Sequence, residues 1–368
     1  MLRAKRITPH RPGPPEPSAA SPLHGYKREF CEWTQVIGLS AQTARMRQHA
    51  LDQFIGWIDE RGVRHPGEVT RPVLQRYQRH LYLARKKNGD PLAHATQMNR
   101  LTPIVAFFKW LTREGHILYN PAADLDMPKA PHRLPKHLLS VQQVGQVLNQ
   151  SDTNTLAGVR DRAMMEVLYS SGIRRSELAH LQIYEVDIER GTLMVRLGKG
   201  KKDRLVPLGA RACAWVRRYV LEVRPELLAG DTPVLFLNDW SLPFEPGQLS
   251  VLVRRYMQAA GIAQGSCHAL RHACATHMLE GGADIRFIQA MLGHSELTTT
   301  QIYTHVAIGK LQAVHALTHP ARLERDPGRD SGRGEVVDGP SPGPVAGDAA
   351  QALLEALADE AGQEEDTR

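Results

Sequence analysis

The sequence lacks most features of a secreted, membrane-bound or metal-stapled protein. Its 368 residues hold four cysteines, Cys31, Cys213, Cys267 and Cys274, too few and too scattered for a disulfide framework. No apolar run approaches the roughly 18 residues of a membrane helix. The N-terminus is basic but has no apolar segment ahead of its prolines, so no secretory signal is expected. Internal repeats are absent. The stretch "GKGKKDR" has the wrong glycine spacing for a phosphate-binding loop, and no Ser or Thr follows a Gly-Lys pair. A GxGxxG nucleotide site fails for want of its βαβ setting. His268, His272 and Cys274 are close in sequence, yet they follow neither paired-cysteine nor HExxH spacing, so no metal is expected. What is left is the expectation of a soluble, cytoplasmic protein of about two domains, with 42% apolar residues to build its core.

Charge is present and unevenly spread. The formal balance is +7, from 46 Lys and Arg against 39 Asp and Glu. Residues 320–368 contain 12 acidic and 5 basic residues, which leaves 41 basic against 27 acidic in residues 1–319. A basic body therefore carries an acidic tail, and a basic body invites an anionic partner. Gly and Pro supply 10 of the 25 residues from 320 to 344, a linker composition. The proline-rich residues 1–23 read the same way, Pro22 included.

Between them, "AQTARMRQHALDQFIGWIDERG" sets Met46, Ala50, Phe54 and Ile58 on one side of a helix. Pro72 suits a first helical turn. A further helix from Leu92 contains Pro103, which is expected to kink or split it. With a short helix at 26–36, residues 24–120 read as a helical bundle. A proline-rich linker at 121–137 leads to a second unit at 138–318. That unit reads as mainly helical, with helices from Ser140, Gly158, Ala210, Pro246, His268, Asp284 and Thr298. A strand–turn–strand pattern occupies "GTLMVRLGKGKKDRLVPL", and a short strand is expected at "PVLFLND".

Four clusters carry chemistry. "SSGIRRSELAHL" places Arg174 and Arg175 at a turn after Gly172, and "GKGKKDR" sets Lys199, Lys201 and Lys202 at a glycine turn. "HALRH" puts His268 and Arg271 on one helical face, and "LGHSELTTTQIYTHV" holds His294 and Tyr303. Arginines, lysine, histidines and a tyrosine without carboxylate ligands for magnesium suit a phosphodiester whose charge grows in the transition state. Arginine offers a bidentate fork to the non-bridging oxygens. A tyrosine can attack phosphorus and store the bond energy covalently, so neither ATP nor metal is needed.

The four motifs, in that order, resemble the tyrosine recombinases of the phage-integrase family, and look closest to their Xer-like bacterial branch; the likeness spans residues 24–316. The resemblance implies a helical, SAM-like core-binding domain and a mainly α catalytic domain with a small β-sheet, the fold of DNA breaking-rejoining enzymes, closing as a C-shaped clamp on duplex DNA. It implies that Arg174 and Arg271 hold the scissile phosphate, Tyr303 attacks it and Lys199 protonates the leaving 5′-oxygen. His268 handles the tyrosine proton, His294 bonds the phosphate and Glu177 supports the arginines. It implies no cofactor, and a homo-tetramer, or a hetero-tetramer with a related recombinase, on paired DNA sites. Each protomer donates C-terminal residues to its neighbour, through a helix at "VAIGKLQAVHAL".

Expected DNA contacts are Arg175, Lys201, Lys202, Arg204, Arg45, Arg47, Arg76, Arg79, Lys86 and Lys87, mostly to phosphates. Arg175 stands where the family usually has an aliphatic residue. His272, His277 and His305 read as packing or surface residues. Residues 319–368 depart from the Xer-like plan; "DAAQALLEALADEA" sets Leu353, Leu354 and Leu357 near one face of a short helix at 348–361. That helix is read either as a dock for an accessory partner or screen for the DNA surface, or as a disordered acidic end. An integrase of a mobile element and a dimer resolvase use the same chemistry, and the tail tilts the reading toward the former. The alternatives are an inactive architectural DNA-binding protein and a relaxing topoisomerase.

Overall fold

The computed structural model describes residues 21–86, 88–128, 138–196, 203–293 and 305–320, with positions 351, 353, 354, 356 and 357. Contacts divide the chain into two compact units, the first holding the described residues up to 128 and the second those from 138 onward.

The first unit contains α1 (Pro22–Val36), α2 (Ala41–Asp59), α3 (Arg71–Leu83) and α4 (His94–Arg113). Pro22 was expected in the flexible N-terminus, but it opens α1, where its missing N–H costs nothing. Leu23 beside it is fully buried. The Ser40 hydroxyl accepts the Thr43 N–H at 3.1 Å and caps α2. Along α2, Ala50, Phe54 and Ile58 are buried, as the 3.6-residue spacing predicts. Phe54 meets Tyr77 of α3 at 5.0 Å and Phe108 of α4 at 6.0 Å, both edge to face, a geometry that adds about 1 kcal/mol per pair beyond area burial. Pro103 does not split α4: the helix runs through it, with Pro103 itself buried. Ala122 and Leu125, expected in the linker, are buried in this unit's core.

The second unit begins with α5 (Val141–Leu148), α6 (Leu156–Ser171) and α7 (Arg175–His180). An antiparallel sheet follows, β1 (Val186–Asp187), β2 (Thr192–Val195) and β3 (Arg204–Pro207), in the order β1-β2-β3. Val195 pairs with Arg204 at the open end of the β2–β3 ladder. Then come α8 (Ala210–Arg218), a π turn at Tyr219–Val223, α9 (Arg224–Leu227), α10 (Pro246–Ala259), α11 (Cys267–Glu280), α12 (Ile285–Leu292) and α13 (His305–Thr318). The helix expected from Thr298 starts at His305 among the described residues. "PVLFLND" is not a strand. It makes only isolated bridges, Val234 to Gln182 and Leu237 to Pro243, because each partner segment runs alongside it for a single residue.

Helices α6 and α11 form the centre of this unit; from Gly158 to Ser171 only Arg162 escapes full burial. Ion pairs brace α6 along its length. Arg160 Nε donates to Asp161 at 3.0 Å, Tyr256 donates to the other Asp161 oxygen at 2.8 Å, and fully buried Glu166 accepts from Arg162 and Arg211 at 3.0 and 2.9 Å. Helix α13 lies against α11 and β3. His315 and His319, stacked 4.7 Å apart, donate from Nε2 to the carbonyls of Ser170 and Tyr169 at 2.6 and 2.9 Å. The Tyr169 hydroxyl donates to His277 Nδ1 at 2.9 Å, and His277 Nε2 donates to the Leu139 carbonyl at 2.8 Å. In the tail, Leu353 and Leu357 are helical and buried in this same core. The apolar face expected to receive an accessory partner is therefore covered by the chain's own second unit. Two leucines four residues apart bury more cheaply against a tethered neighbour than against a separate molecule.

Candidate functional site

The site is organised by the end of α6. Gly172 closes that helix at φ +60°, in the left-handed region, and a Cβ there would sit 2.7 Å from the Leu292 side chain. Two residues on, Arg174 is the N-cap of α7. Its N–H donates to Glu177 Oε2 at 2.8 Å and its Nη1 to Glu177 Oε1 at 3.1 Å, so one carboxylate both caps the helix and orients the guanidinium. Arg174 is 8% exposed and directed by a partner.

Arg271, on α11, is 1% exposed. Its Nη1 donates to the Gly172 carbonyl and its Nη2 to the Leu292 carbonyl at 3.1 Å. His268 is one turn earlier on the same helix and is also buried. The fold thus brings Arg174 and Arg271 to the Gly172 turn, with Glu177 beside Arg174 and His268 one helical turn from Arg271. Lys199, Lys201, Lys202, His294, Tyr303 and Lys87 lie outside the described residues. Their flanks are described: β2 and β3 bound the loop with Lys199, Gly293 ends α12 at φ +71° just before His294, and α13 starts two residues after Tyr303.

Burial alone would raise the Glu177 carboxyl. The hydrogen bonds and charge of Arg204, with those of Arg174, overcome it and hold the group at about 2. His272 is lowered to about 4 by burial, then by the charges of His268 and Arg271. The site therefore keeps Glu177 ionised and His272 neutral at physiological pH.

Several expected DNA contacts are placed otherwise. Arg204 is 6% exposed; its Nη1 and Nη2 donate to the two Glu177 oxygens at 2.9 and 2.8 Å. It faces inward because β3 alternates and Arg204 shares the core face with fully buried Val206. That two-residue period was the signal that could have identified it. Arg175 Nη1 donates to the Ser250 hydroxyl of α10 at 2.8 Å, tying α7 to α10. Arg47 donates to Thr34 at 3.1 Å and lies 5.4 Å over the Phe30 ring, half-buried between α1 and α2. Arg45, Arg76, Arg79 and Lys86 are exposed.

Among the described residues no group of three His, Cys, Asp or Glu is placed to hold a metal ion, and no helix is long and apolar enough to cross a membrane.

The phage integrase family matches residues 137–309, the span that contains Arg174, Glu177, Lys199, Arg204, His268, Arg271, His294 and Tyr303. Tyrosine recombinase XerC 2 of Ralstonia nicotianae is 52% identical over 312 residues, 84% of this chain and 90% of its own length. Tyrosine recombinase XerD of Xanthomonas axonopodis pv. citri is 39% identical, over 83% of this chain and 99% of its own. Among solved structures, the XerH recombinase bound to a palindromic difH substrate after cleavage superposes with a TM-score of 0.56 at 21% identity, covering 78% of this chain and 82% of that one. A lambda integrase dimer bound to a core site gives 0.56 at 17% identity, over 85% and 99%. These two likenesses speak to the fold, mainly helical with one small sheet; the identity with the two relatives, nearly end to end, settles descent. The chain belongs to the phage integrase family of tyrosine recombinases, the site-specific DNA recombinases, and to their Xer-like branch.

Proposed function

We propose that this recombinase cuts and rejoins duplex DNA through a 3′-phosphotyrosyl intermediate at Tyr303. The observation that carries the reading is the meeting of Arg174 and Arg271 at one buried turn, each fixed by its own partners. Two preset guanidinium groups match a phosphodiester gaining charge as it becomes five-coordinate. Tyr303 Oη attacks phosphorus while the bond to the 5′-oxygen breaks. Lys199 gives that oxygen its proton, His268 takes the tyrosine proton, and His294 donates to a non-bridging oxygen. Attack by a partner strand's 5′-hydroxyl reverses these steps. The phosphodiester energy stays in the phosphotyrosine, so the cycle draws on neither ATP nor metal.

The partners in this reading are paired duplex sites, bridged by a homo-tetramer or by a hetero-tetramer with a related recombinase, in the cytoplasm on the nucleoid. The crystallised XerH and lambda integrase were bound to DNA, and the curated relatives are recombinases. Nothing in those comparisons favours an architectural protein or a relaxing topoisomerase. The test uses nicked duplexes drawn from the flanking genome, with covalent adducts trapped and mapped. Wild type should yield a 3′ adduct at one recurring sequence. Tyr303→Phe should bind the same duplexes and yield none; an undiminished adduct would remove Tyr303 from its role.

A further inference from the structure

We propose that Arg204 is a positioning residue of the cleavage site rather than a DNA contact, gripping Glu177 and the end of α12 at once. The proposal rests on Arg174 acting at the scissile phosphate. All three guanidinium nitrogens of Arg204 donate inward: Nη1 and Nη2 to the two Glu177 oxygens at 2.9 and 2.8 Å, and Nε to the Met291 carbonyl at 2.9 Å. The paired bonds to Glu177 form a bidentate fork, which fixes the plane of the carboxylate and not only its position. Glu177 in turn holds both the N–H and the Nη1 of Arg174, so the carboxylate plane sets the direction of the Arg174 side chain.

The other end of the contact is as specific. A Cβ on Gly293 would lie 3.1 to 3.2 Å from Cζ, Nε and Cδ of Arg204, so the Arg204 side chain packs closely against that glycine. Gly293 precedes His294, and Arg204 follows Lys199 by five positions in the sequence. One side chain therefore joins the backbone next to three of the motifs: the Arg174 turn through Glu177, the Lys199 hairpin through its own strand, and the His294 approach through Met291 and Gly293. None of these three is adjacent to another in sequence. Lysine cannot substitute, because a single ammonium reaches one Glu177 oxygen or the Met291 carbonyl but not the whole set.

The test compares wild type with Arg204→Lys, Arg204→Met, Glu177→Gln and the Arg204→Met/Glu177→Gln pair, all in the full chain. Adduct formation is followed on the nicked duplex recovered by mapping, and binding on a random-sequence duplex across salt. Arg204→Lys and Arg204→Met should slow adduct formation by about a hundredfold, the scale of a 1 Å misplacement, while the salt slope stays at the wild-type value. The double variant should be no slower than the slower single one, because both act through one link. Arg204→Met should also give adduct formation a new acid limb, since Glu177 loses its strongest partners and moves up toward an ordinary carboxylate. Thermal unfolding identifies any variant that fails to fold, and the double variant, which removes both charges of the Arg204–Glu177 pair together, remains informative if Arg204→Met does not fold.

A salt slope reduced by about 0.9, with the rate restored at saturating protein, would make Arg204 a phosphate contact and overturn the proposal. Losses that multiply in the double variant would overturn it too. Arg174→Ala on the same duplex separates the two claims: retained adduct formation there removes the underlying site assignment, whatever Arg204 does.

Discussion

The guanidinium of Arg271 donates to the main-chain carbonyl of Gly172, 99 positions earlier in the chain. Its second nitrogen takes the carbonyl of Leu292, the last residue of α12. Two helices, α6 and α12, thus direct their negative C-terminal ends at one buried cation, which is how a fully desolvated arginine is held without a carboxylate among these contacts.

Arg271→Ala should therefore cost stability as well as activity. It leaves two buried carbonyls without their donor, each worth about 1–3 kcal/mol, so urea unfolding should show a loss of about 3 kcal/mol. Adduct formation should vanish. Arg271→Lys should recover part of the stability and little of the rate.

Gly172→Ala tests the turn itself. The left-handed backbone costs alanine about 1–2 kcal/mol, and the new Cβ meets Leu292 at 2.7 Å, so overpacking adds roughly 1–3 kcal/mol. Thermal unfolding should move down by several degrees, and adduct formation should fall because Arg174 starts two residues later.

Acid should destabilise the second unit in two steps. Burial, with neighbouring positive charge at His272 and His319, lowers His272, His277, His315 and His319 below their ordinary value. In the unfolded chain they take protons near 6.5. The unfolded state therefore gains protons first as pH falls, and stability drops from about pH 6.5 downward; for His272 the loss levels off near 4 and is worth roughly 3 kcal/mol. Glu177, held at about 2 against an ordinary 4.5, adds a second loss below about pH 4.5. Denaturant midpoints across pH check this. A stability flat between pH 7 and about 5 would contradict the buried, neutral state of the histidines.

Leu357→Asp should destabilise the second unit by about 2–4 kcal/mol, because it places a charge where a fully buried leucine packs. Truncation after His319 should do the same by removing Leu353 and Leu357 together. An unaltered midpoint in both would mean the tail adds nothing to the core.

Removing an exposed basic residue of the first unit should act differently. Arg76→Ala and Arg79→Ala should each lower the salt slope of DNA binding by about 0.9 if they neutralise phosphates. Arg47→Ala should leave the slope alone and reduce stability, since its guanidinium is taken up by Thr34 and Phe30.

Much of this arrangement was legible in the residues. The stripe Ala50, Phe54, Ile58 announced α2, and the order of the four motifs led to Arg174, Arg271 and His268. What could not be read was direction. Arg204, Arg175 and Arg47 count as positive charge in any composition, and only packing shows that each turns inward to a named partner. Strand character failed at "PVLFLND" for a related reason: its apolar residues are buried, but a strand also needs a neighbour that runs beside it. The tail leucines formed a visible face, while its cover, the second unit itself, is a property of three-dimensional closure.

The stacked pair of His315 and His319 ties the end of α13 to the carbonyls of Tyr169 and Ser170, in the last turn of α6 before the arginine turn. A load applied to α13 is therefore delivered to the backbone that carries Arg174 through two hydrogen bonds. Any molecule that grips α13 and draws it away shares its binding free energy with that turn, and by reciprocity whatever immobilises the turn tightens the hold on α13. Helix α13 and the turn that carries Arg174 are, in this sense, one lever.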